Sequence, residues 1–261
     1  MRIEFEKYHG TGNDFIMLDI RNHTIQESPD ILAQLCDRHF GIGADGLIML
    51  GNAAKSDFSM RYFNADGHES SMCGNGGRCI TAFAKRLGMI NMECIFEAID
   101  GTHRAVILSQ AGNVYEVRLQ MADVEVSGWK EGGIFLDTGS PHFIQLREGI
   151  ENIDVANEGR KLRNGPMFSP GGANVNFIEE KDGILHIRTY ERGVEAETLS
   201  CGTGVTAAAL AWAIRHNLEG PVYLQSPGGP LKVHFNKVDE HFSDIFLEGP
   251  ATYVYSGEIE I

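Results

Sequence analysis

Two cysteines lie in the same local sequence pattern, and the pattern holds the residue types needed to ionise a thiol. Residues 69–76 (ESSMCGNG) and residues 197–204 (ETLSCGTG) both follow E-[ST]-x-x-C-G-x-G. Each copy runs directly into an apolar segment typical of a helix, so Cys73 and Cys201 are each predicted at a helix N-terminus. The backbone N–H groups and the helix dipole at that end favour a thiolate, and the same N–H groups can hold a carboxylate.

One copy alone is a weak signal, because a glycine-rich turn beside an inert, buried cysteine is at least as common. A second pair of matching segments strengthens it: TGNDFI begins at Thr11 and TGSPHFI begins at Thr138. Thr11 lies 62 positions before Cys73, and Thr138 lies 63 positions before Cys201. The same order at nearly the same spacing predicts a duplicated domain.

The duplication sets the predicted domain organisation. The first half is predicted to span residues 1–122 and the second residues 123–250, with residues 251–261 able to complete the first half as a final strand. Short alternating strands, separated by turn residues and without regular helix alternation, indicate an α+β fold rather than a doubly wound sheet. Three helices are predicted: one from Ser28 to about His39, one after Gly76-Gly77 and one after Gly204.

Two helix N-termini that face one ligand would place its carboxylate between them and the neighbouring α-carbon between two sulfurs. One thiolate then removes the α-proton, and the opposite thiol delivers a proton to the other face. Because such a proton is very weakly acidic, the N–H groups must stabilise the charge that builds on the carboxylate. This chemistry predicts cofactor-independent epimerisation of an amino acid, with no metal and no pyridoxal.

Composition excludes several other functions. The net charge of −14 argues against nucleic acid as a partner, because phosphates demand a basic surface. No apolar run is long enough to span a membrane and the N-terminus lacks a signal-peptide pattern, so a cytoplasmic location is expected.

Of the remaining cysteines, Cys36, Cys79 and Cys94 are interpreted as packing residues, and Arg78 as a structural residue of its helix. A Cys36/His39 metal pair on helical spacing has no further ligands grouped with it.

The chain resembles the diaminopimelate epimerases along nearly its whole length. The segments that carry the resemblance are GTGNDF (10–15), RHFGIGAD (38–45), NADG (64–67), CGNGGRC (73–79), PH (141–142), the segment at Asn174, YERG (190–193) and CGTG (201–204). Because these matches follow in order, they are together highly specific. The resemblance implies two pseudo-symmetric domains, each a curved, mostly antiparallel sheet around a central helix, with the active site in the cleft between them.

The resemblance also implies a reaction and its residues. The reaction is the interconversion of LL- and meso-diaminopimelate, a step toward lysine and peptidoglycan precursors, carried out by a homodimer. Cys73 and Cys201 are implied as the acid/base pair, with His142 and Glu191 near them to tune their ionisation. The side chains implied to hold the substrate's polar ends are Asn13, Asn64, Asn174, Glu191 and Arg192. The backbone N–H groups implied to hold the reacting carboxylate are those of Gly74, Asn75, Gly202 and Thr203.

Two positions depart from the family's pattern. Gly46 stands where better-known members have glutamine, and Ser140 stands where they have asparagine. Both positions contact substrate in the family, so the resemblance supports the chemistry more firmly than the binding contacts. The spacing from Glu191 to Cys201 is also one residue longer than usual, which predicts a longer loop.

Three other functions remain open from the sequence. A proline or hydroxyproline racemase uses similar chemistry, but its substrates lack the second carboxylate that Arg192, with Asn64 and Asn174, is suited to bind. A thiol redox protein would form a reversible bridge between Cys73 and Cys201 without amino-acid turnover. A metal-binding module would hold stoichiometric zinc.

Overall fold

The chain folds into two units, each built from sheet and helix, in a computed structural model. The structure describes residues 2–22, 25, 27–126 and 128–260. One unit comprises Met1–Leu119 with Gly249–Ile261, and the other comprises Gln120–Glu248. The α+β class predicted from the sequence is confirmed, because strands dominate both units and do not alternate regularly with helices.

The strands of the first unit are mostly antiparallel. They are β1 (Arg2–Gly10), β2 (Asn13–Asp19), β3 (Gly46–Gly51), β4 (Phe58–Asn64), β5 (Glu69–Ser70), β6 (Glu93–Ala98), β7 (Gly101–Ala111) and β8 (Val114–Gln120). Parallel pairing occurs between β2 and β3 and between β4 and β6. The β2–β3 pair aligns Phe15 with Gly46, which brings the start of both strands to one edge.

The second unit repeats this arrangement. Its strands are β9 (Val124–Glu125), β10 (Trp129–Lys130), β11 (Gly133–Asp137), β12 (Pro141–Leu146), β13 (Asn174–Lys181), β14 (Ile184–Glu191), β15 (Ala196–Thr198), β16 (Val222–Ser226) and β17 (Gly229–Val238). The parallel pairs are β12 with β13 and β14 with β16. The β12–β13 pair aligns His142 with Asn174, as β2–β3 aligns Phe15 with Gly46.

The last strand, β18 (His241–Glu260), belongs to both units. Its first part pairs with β17 and β9 in the second unit, and its last part pairs with β8 and β1 in the first. The sequence predicts a first domain of residues 1–122 completed by residues 251–261, and a second domain of residues 123–250. These domain bounds stay a prediction. Ile261, the last residue of the predicted final strand, lies outside the described residues.

The described residues form four α-helices and two short 3₁₀ turns. The helices are α1 (Pro29–Cys36), α2 (Gly74–Arg86), α3 (Val155–Arg163) and α4 (Gly202–His216), and the turns are Ile150–Asn152 and Pro166–Phe168. Helix α2 packs against β1, β2, β3 and β7, and α4 packs against β11 to β14, β16 and β17. Both helices are buried along most of their length, as a helix enclosed by a sheet must be.

Helices α2 and α4 begin at the residue after each cysteine, earlier than the predicted starts after Gly77 and after Gly204. The glycines therefore lie in the first turn, where a Cβ would force a neighbouring side chain to shift. A Cβ at Gly76 would lie 2.7 Å from Ile48 Cδ1, and one at Gly204 would lie 2.6 Å from Asn176 Oδ1. Glycine lets the start of each helix approach the strand beneath it.

The prediction was wrong about two other helices. Helix α1 ends at Cys36 instead of about His39, because the Asp37 side chain accepts hydrogen bonds from the N–H groups of His39 and Phe40 and turns the chain. This removes the helical spacing between Cys36 and His39. Helix α3 was missed, since its sequence VANEGRKLR is polar and contains Gly159, where a Cβ would lie 2.3 Å from the Cβ of Tyr190.

A search of the described residues for a helix both long and apolar enough to cross a membrane found none.

Candidate active site

Both predicted cysteines occupy the same backbone position in their own unit. Cys73 immediately precedes α2 and Cys201 immediately precedes α4, each in an extended conformation. The first helical hydrogen bonds run from Gly77 N to Cys73 O at 2.7 Å and from Val205 N to Cys201 O at 2.8 Å. The N–H groups before these positions have no carbonyl partner within the helix, so each turn offers donors and the positive end of the helix dipole.

In the first unit, Cys73 meets two of the predicted substrate-binding residues. Its thiol donates to Asn13 Oδ1 at 3.7 Å, and Asn75 Nδ2 donates to the same oxygen at 3.1 Å. Asn13 begins β2 while Asn75 lies in the first turn of α2, so the contact joins the strand to the helix start.

A charged network holds the Asn13 side chain in place. Asn13 Nδ2 donates to Asp45 Oδ2 at 2.9 Å, and Arg38 bridges Asp45 and Asp14 at 2.6 and 2.7 Å. The buried ammonium of Lys7 lies 2.7 Å from Asp14 and also donates to a backbone carbonyl. Burial raises the pKa of Asp14, but hydrogen bonds from Arg38 and Lys7 outweigh it and hold that pKa below its usual range.

Arg78 lies fully buried beneath the first turn of α2. Its guanidinium donates to Gly74 O at 3.3 Å, to Asn75 Oδ1 at 3.0 Å and to Thr11 Oγ1 at 3.4 Å. Burial lowers the pKa of Arg78. The residue interpreted from sequence as merely structural therefore orients Asn75 and brings positive charge near Cys73.

The other predicted residue of the first unit, Asn64, lies at the end of β4 and pairs with Gly46. A side chain at position 46 would collide with Tyr62, because a Cβ there would lie 2.5 Å from Tyr62 Cε2 and 3.1 Å from its hydroxyl. Tyr62 thus fills the space beside Gly46, one of the two positions that depart from the family's pattern.

In the second unit, Cys201 meets Thr203 and, through it, His142. The Cys201 sulfur lies 3.4 Å from Thr203 Oγ1, and His142 Nε2 lies 2.9 Å from the same hydroxyl. His142 is fully buried in β12. Burial and the positive charge of Arg192 lower the pKa of His142 to about 3, against its usual 6.5. The imidazole is therefore neutral at physiological pH.

Further polar residues lie behind His142. Asn176 Nδ2 approaches His142 Nδ1 at 3.1 Å and Phe143 O at 3.3 Å, while the Thr189 hydroxyl donates to Asn176 Oδ1 at 2.9 Å. These side chains are buried in adjacent strands. Sequence reasoning missed Asn176 and Thr189, although Asn176 shares a face of β13 with the predicted Asn174 by the two-residue strand period.

The remaining predicted residues of the second unit lie at the start of β13, where Asn174 is, and at the end of β14, where Glu191 is the last residue and Arg192 follows. Asn174 Nδ2 donates to Ser140 Oγ and to Pro141 O, each at 2.9 Å, and Asn174 Oδ1 accepts from the Arg192 N–H at 2.8 Å. Ser140, the second position that departs from the family's pattern, is thus bonded to Asn174. Glu191 accepts from the Thr198 hydroxyl at 2.9 Å.

Burial keeps the other three thiols, Cys36, Cys79 and Cys94, protonated. Burial raises the pKa of Cys36 and of Cys94 to about 12, and it raises the pKa of Cys79 as well. These cysteines stay protonated at physiological pH, which agrees with their interpretation as packing residues. Across the described residues, His, Cys, Asp and Glu side chains form no group of three suited to a metal ion.

Known proteins match this chain over almost its full length. A sequence model described as diaminopimelate epimerase matches residues 5–126 and 134–254. The diaminopimelate epimerase of Flavobacterium psychrophilum is 46% identical over 97% of this chain and 98% of its own length. The chain belongs to the diaminopimelate epimerase family. The enzyme of the same name from Chlorobaculum tepidum is 40% identical over 97% of this chain and 99% of its own length.

Solved structures share the fold of this family member at much lower sequence identity. A phenazine biosynthesis protein of the PhzF family from Bacillus anthracis aligns with a TM-score of 0.77 at 15% identity, covering 100% of both chains. A hydroxyproline epimerase from Agrobacterium vitis aligns with a TM-score of 0.73 at 15% identity, covering 99% of this chain and 92% of its own. At such identities the likeness shows the two-domain α+β fold alone.

Proposed function

We propose that this protein interconverts LL- and meso-diaminopimelate, with Cys73 and Cys201 as its two acid/base groups. The observation that carries the proposal is the repeated placement of a cysteine before a buried glycine-rich helix start, in a chain of the diaminopimelate epimerase family. Relatives of that name, among them one that is 46% identical over 97% of this chain, support the substrate. The lysine and peptidoglycan precursor role follows from it.

The proposed reaction requires that both cysteines act on one α-carbon from opposite faces. In one direction, a thiolate takes the α-proton and becomes a thiol, while the electron pair moves toward the substrate carboxylate. The opposite thiol gives its proton to the other face and becomes a thiolate, so the pair leaves each turnover with its protonation states exchanged. The N–H groups of Gly74, Asn75, Gly202 and Thr203 are proposed to stabilise the carboxylate charge.

The substrate's polar ends are assigned to side chains near the strand ends. Asn13, Asn64, Asn174 and Glu191 are proposed to bind its amino and carboxylate groups. Arg192 is exposed; its backbone N–H donates to Asn174 Oδ1 and its Nη1 donates to Gly171 O at 3.4 Å. The other N–H groups of its guanidinium are proposed to bind the distal carboxylate. His142 and Glu191 are proposed to set the ionisation of the thiols.

The Arg192 assignment predicts a change in substrate affinity more than in chemistry. Arg192→Ala should raise KM for diaminopimelate about tenfold or more, since a charge-assisted bidentate contact contributes about 1.5–3 kcal/mol, while kcat changes little. Arg163→Ala is the matched control, because Arg163 is engaged in an ion pair with Glu195 at 2.8 Å. An unchanged KM in Arg192→Ala would remove the assignment.

The activity itself is tested by exchange in deuterated water, with reduced protein and no added cofactor. LL-diaminopimelate, L-proline and trans-4-hydroxy-L-proline are offered separately, and α-deuterium is followed by mass spectrometry. The proposal predicts deuterium in diaminopimelate with formation of the meso isomer. Exchange only in the cyclic amino acids would assign a proline-type substrate, and no exchange in any of them would favour the redox function. A homodimer and a cytoplasmic location stay predictions.

A further inference from the structure

The buried polar residues behind His142 form a hydrogen-bond chain whose direction can be assigned. The direction follows from the Phe143 carbonyl, because a carbonyl can only accept a hydrogen bond. Asn176 must therefore turn its amide nitrogen toward that oxygen, 3.3 Å away. Its amide oxygen then faces the Thr189 hydroxyl, which donates to it at 2.9 Å. The Phe143 carbonyl selects this orientation of the Asn176 amide, and the Thr189 hydroxyl fits it because a hydroxyl can donate.

This orientation sets the tautomer of His142. Asn176 Nδ2 donates its second proton to His142 Nδ1 at 3.1 Å, so Nδ1 must be the acceptor nitrogen. The imidazole is neutral and carries one proton. That proton is therefore on Nε2, which donates to Thr203 Oγ1 at 2.9 Å.

The last hydrogen bond of this chain joins Thr203 to the Cys201 sulfur. A threonine hydroxyl has one proton, and Thr203 Oγ1 already accepts from His142. When Cys201 is a thiolate, its sulfur, 3.4 Å away, can only accept, so the Thr203 proton is directed at it. A donor aimed at a sulfur stabilises the thiolate over the thiol, because the charged acceptor forms the stronger bond.

We propose that Thr203 is a fixed hydrogen-bond donor to the Cys201 thiolate, oriented through His142 by the positioning residues Asn176 and Thr189. In this arrangement His142 donates through Nε2 and does not take the proton of Cys201. The catalytic meaning of the chain rests on the proposed function, in which Cys201 must be a thiolate in one half of each cycle.

Other charged and polar groups of the second unit lie near this hydrogen-bond chain. The N-terminus of α4 favours a charged Cys201. The positive charge of Arg192 acts on His142 and helps keep it neutral. Glu191, at the end of β14, accepts from Thr198, and Glu197 on β15 is paired with Arg188 at 2.6 Å. The Thr203 carbonyl is itself held, since it accepts from the Thr138 hydroxyl at 2.9 Å.

The test is the pH dependence of Cys201 alkylation by iodoacetamide without substrate, read by peptide mass spectrometry. It is performed in a Cys73→Ser background, so that titration of the second thiol does not enter. The midpoint of the rate profile reports ionisation, whereas accessibility changes only its plateau. Thr203→Val should raise the midpoint by about one pH unit, since a hydrogen bond to a charged group contributes about 1.5–3 kcal/mol.

Two matched variants separate the hydroxyl from its surroundings. Thr203→Ser keeps the donor and should restore the midpoint, while Thr206→Val removes a hydroxyl of the same helix that bonds to Gly202 O and should leave the midpoint unchanged. An unchanged midpoint in Thr203→Val, or no restoration in Thr203→Ser, would overturn the donor role. Asn176→Leu should also raise the midpoint, and no shift there would overturn its positioning role. Because no substrate is used, a failure of diaminopimelate turnover would not alter these readings.

Discussion

The two cysteine motifs have the same backbone arrangement, but the strand side chains beneath them differ. In each unit the cysteine precedes a buried helix, and the glycine three residues later approaches a strand: Gly76 approaches Ile48, and Gly204 approaches Asn176. The strand registers match as well, because Phe15 aligns with Gly46 as His142 aligns with Asn174. The matching positions therefore hold apolar side chains in the first unit and a hydrogen-bond chain in the second.

The position five residues after each cysteine shows the same divergence. Arg78 and Thr206 both donate to the carbonyl of the residue after the cysteine, at 3.3 and 3.0 Å. In the first unit that donor is a buried cation, while in the second it is a neutral hydroxyl. Both motifs therefore have backbone N–H groups suited to a carboxylate. Their side chains differ, and so does the electrostatic environment of each sulfur.

The largest expected effect is the loss of either sulfur. Cys73→Ala and Cys201→Ala should each reduce epimerisation of diaminopimelate to background, because a two-base transfer needs both partners. The rates of each variant are compared with wild type by following conversion of LL to meso isomer. Substantial turnover in either variant would show that the two motifs are not equivalent partners in the chemistry.

Removing the buried cation should affect the first motif strongly. Arg78→Met takes donors from Gly74 O and Asn75 Oδ1, and a buried acceptor left without its donor costs about 1–3 kcal/mol in the free energy of unfolding. Thr206→Val is the counterpart in the second unit and should cost about 1 kcal/mol or less, since it removes one neutral bond. Urea unfolding of both variants gives the comparison, and equal costs would contradict the distinct role of Arg78.

The glycines facing each strand should differ in their tolerance of alanine. A Cβ at Gly76 meets the flexible end of Ile48, and alanine gains about 1 kcal/mol of helix propensity, so Gly76→Ala should be nearly neutral. A Cβ at Gly204 meets Asn176 Oδ1, and hydrogen bonds at both Oδ1 and Nδ2 hold that side chain, so Gly204→Ala should cost about 1–3 kcal/mol. Thermal unfolding distinguishes them, and the reverse order would show that the Asn176 chain is not rigid.

The smallest effect at neutral pH concerns His142, whose contribution appears only in the pH dependence of stability. Because the pKa of His142 is lowered to about 3 from 6.5, the unfolded chain binds a proton more readily than the folded one below about pH 6.5. The stability present above that pH is lost as pH falls toward 3, by up to about 1.4 kcal/mol per pH unit. His142→Gln should remove this component, which unfolding at several pH values would reveal as a shallower slope. Parallel slopes would contradict the neutral, buried histidine.

The sequence predicted features that a local motif or period marks, and it missed residues whose role depends on long-range packing. The two cysteines, the helices after them and the α+β class follow from motifs and periodicity. Asn176 and Thr189 carry no motif of their own, and only the pairing of β13 with β12 and β14 places them behind His142. Arg78 resembled an ordinary helix residue, since its complete burial depends on strands far away in the chain.

The most direct test of the account is the position of deuterium during the first turnovers of LL-diaminopimelate in deuterated water. If two thiols act on opposite faces, the meso product carries α-deuterium while the recovered LL substrate keeps its protium, because the accepting and donating groups are different. Deuterium entering the recovered LL substrate as fast as the meso product would indicate a single exchanging base, and it would contradict the proposed pairing of Cys73 with Cys201.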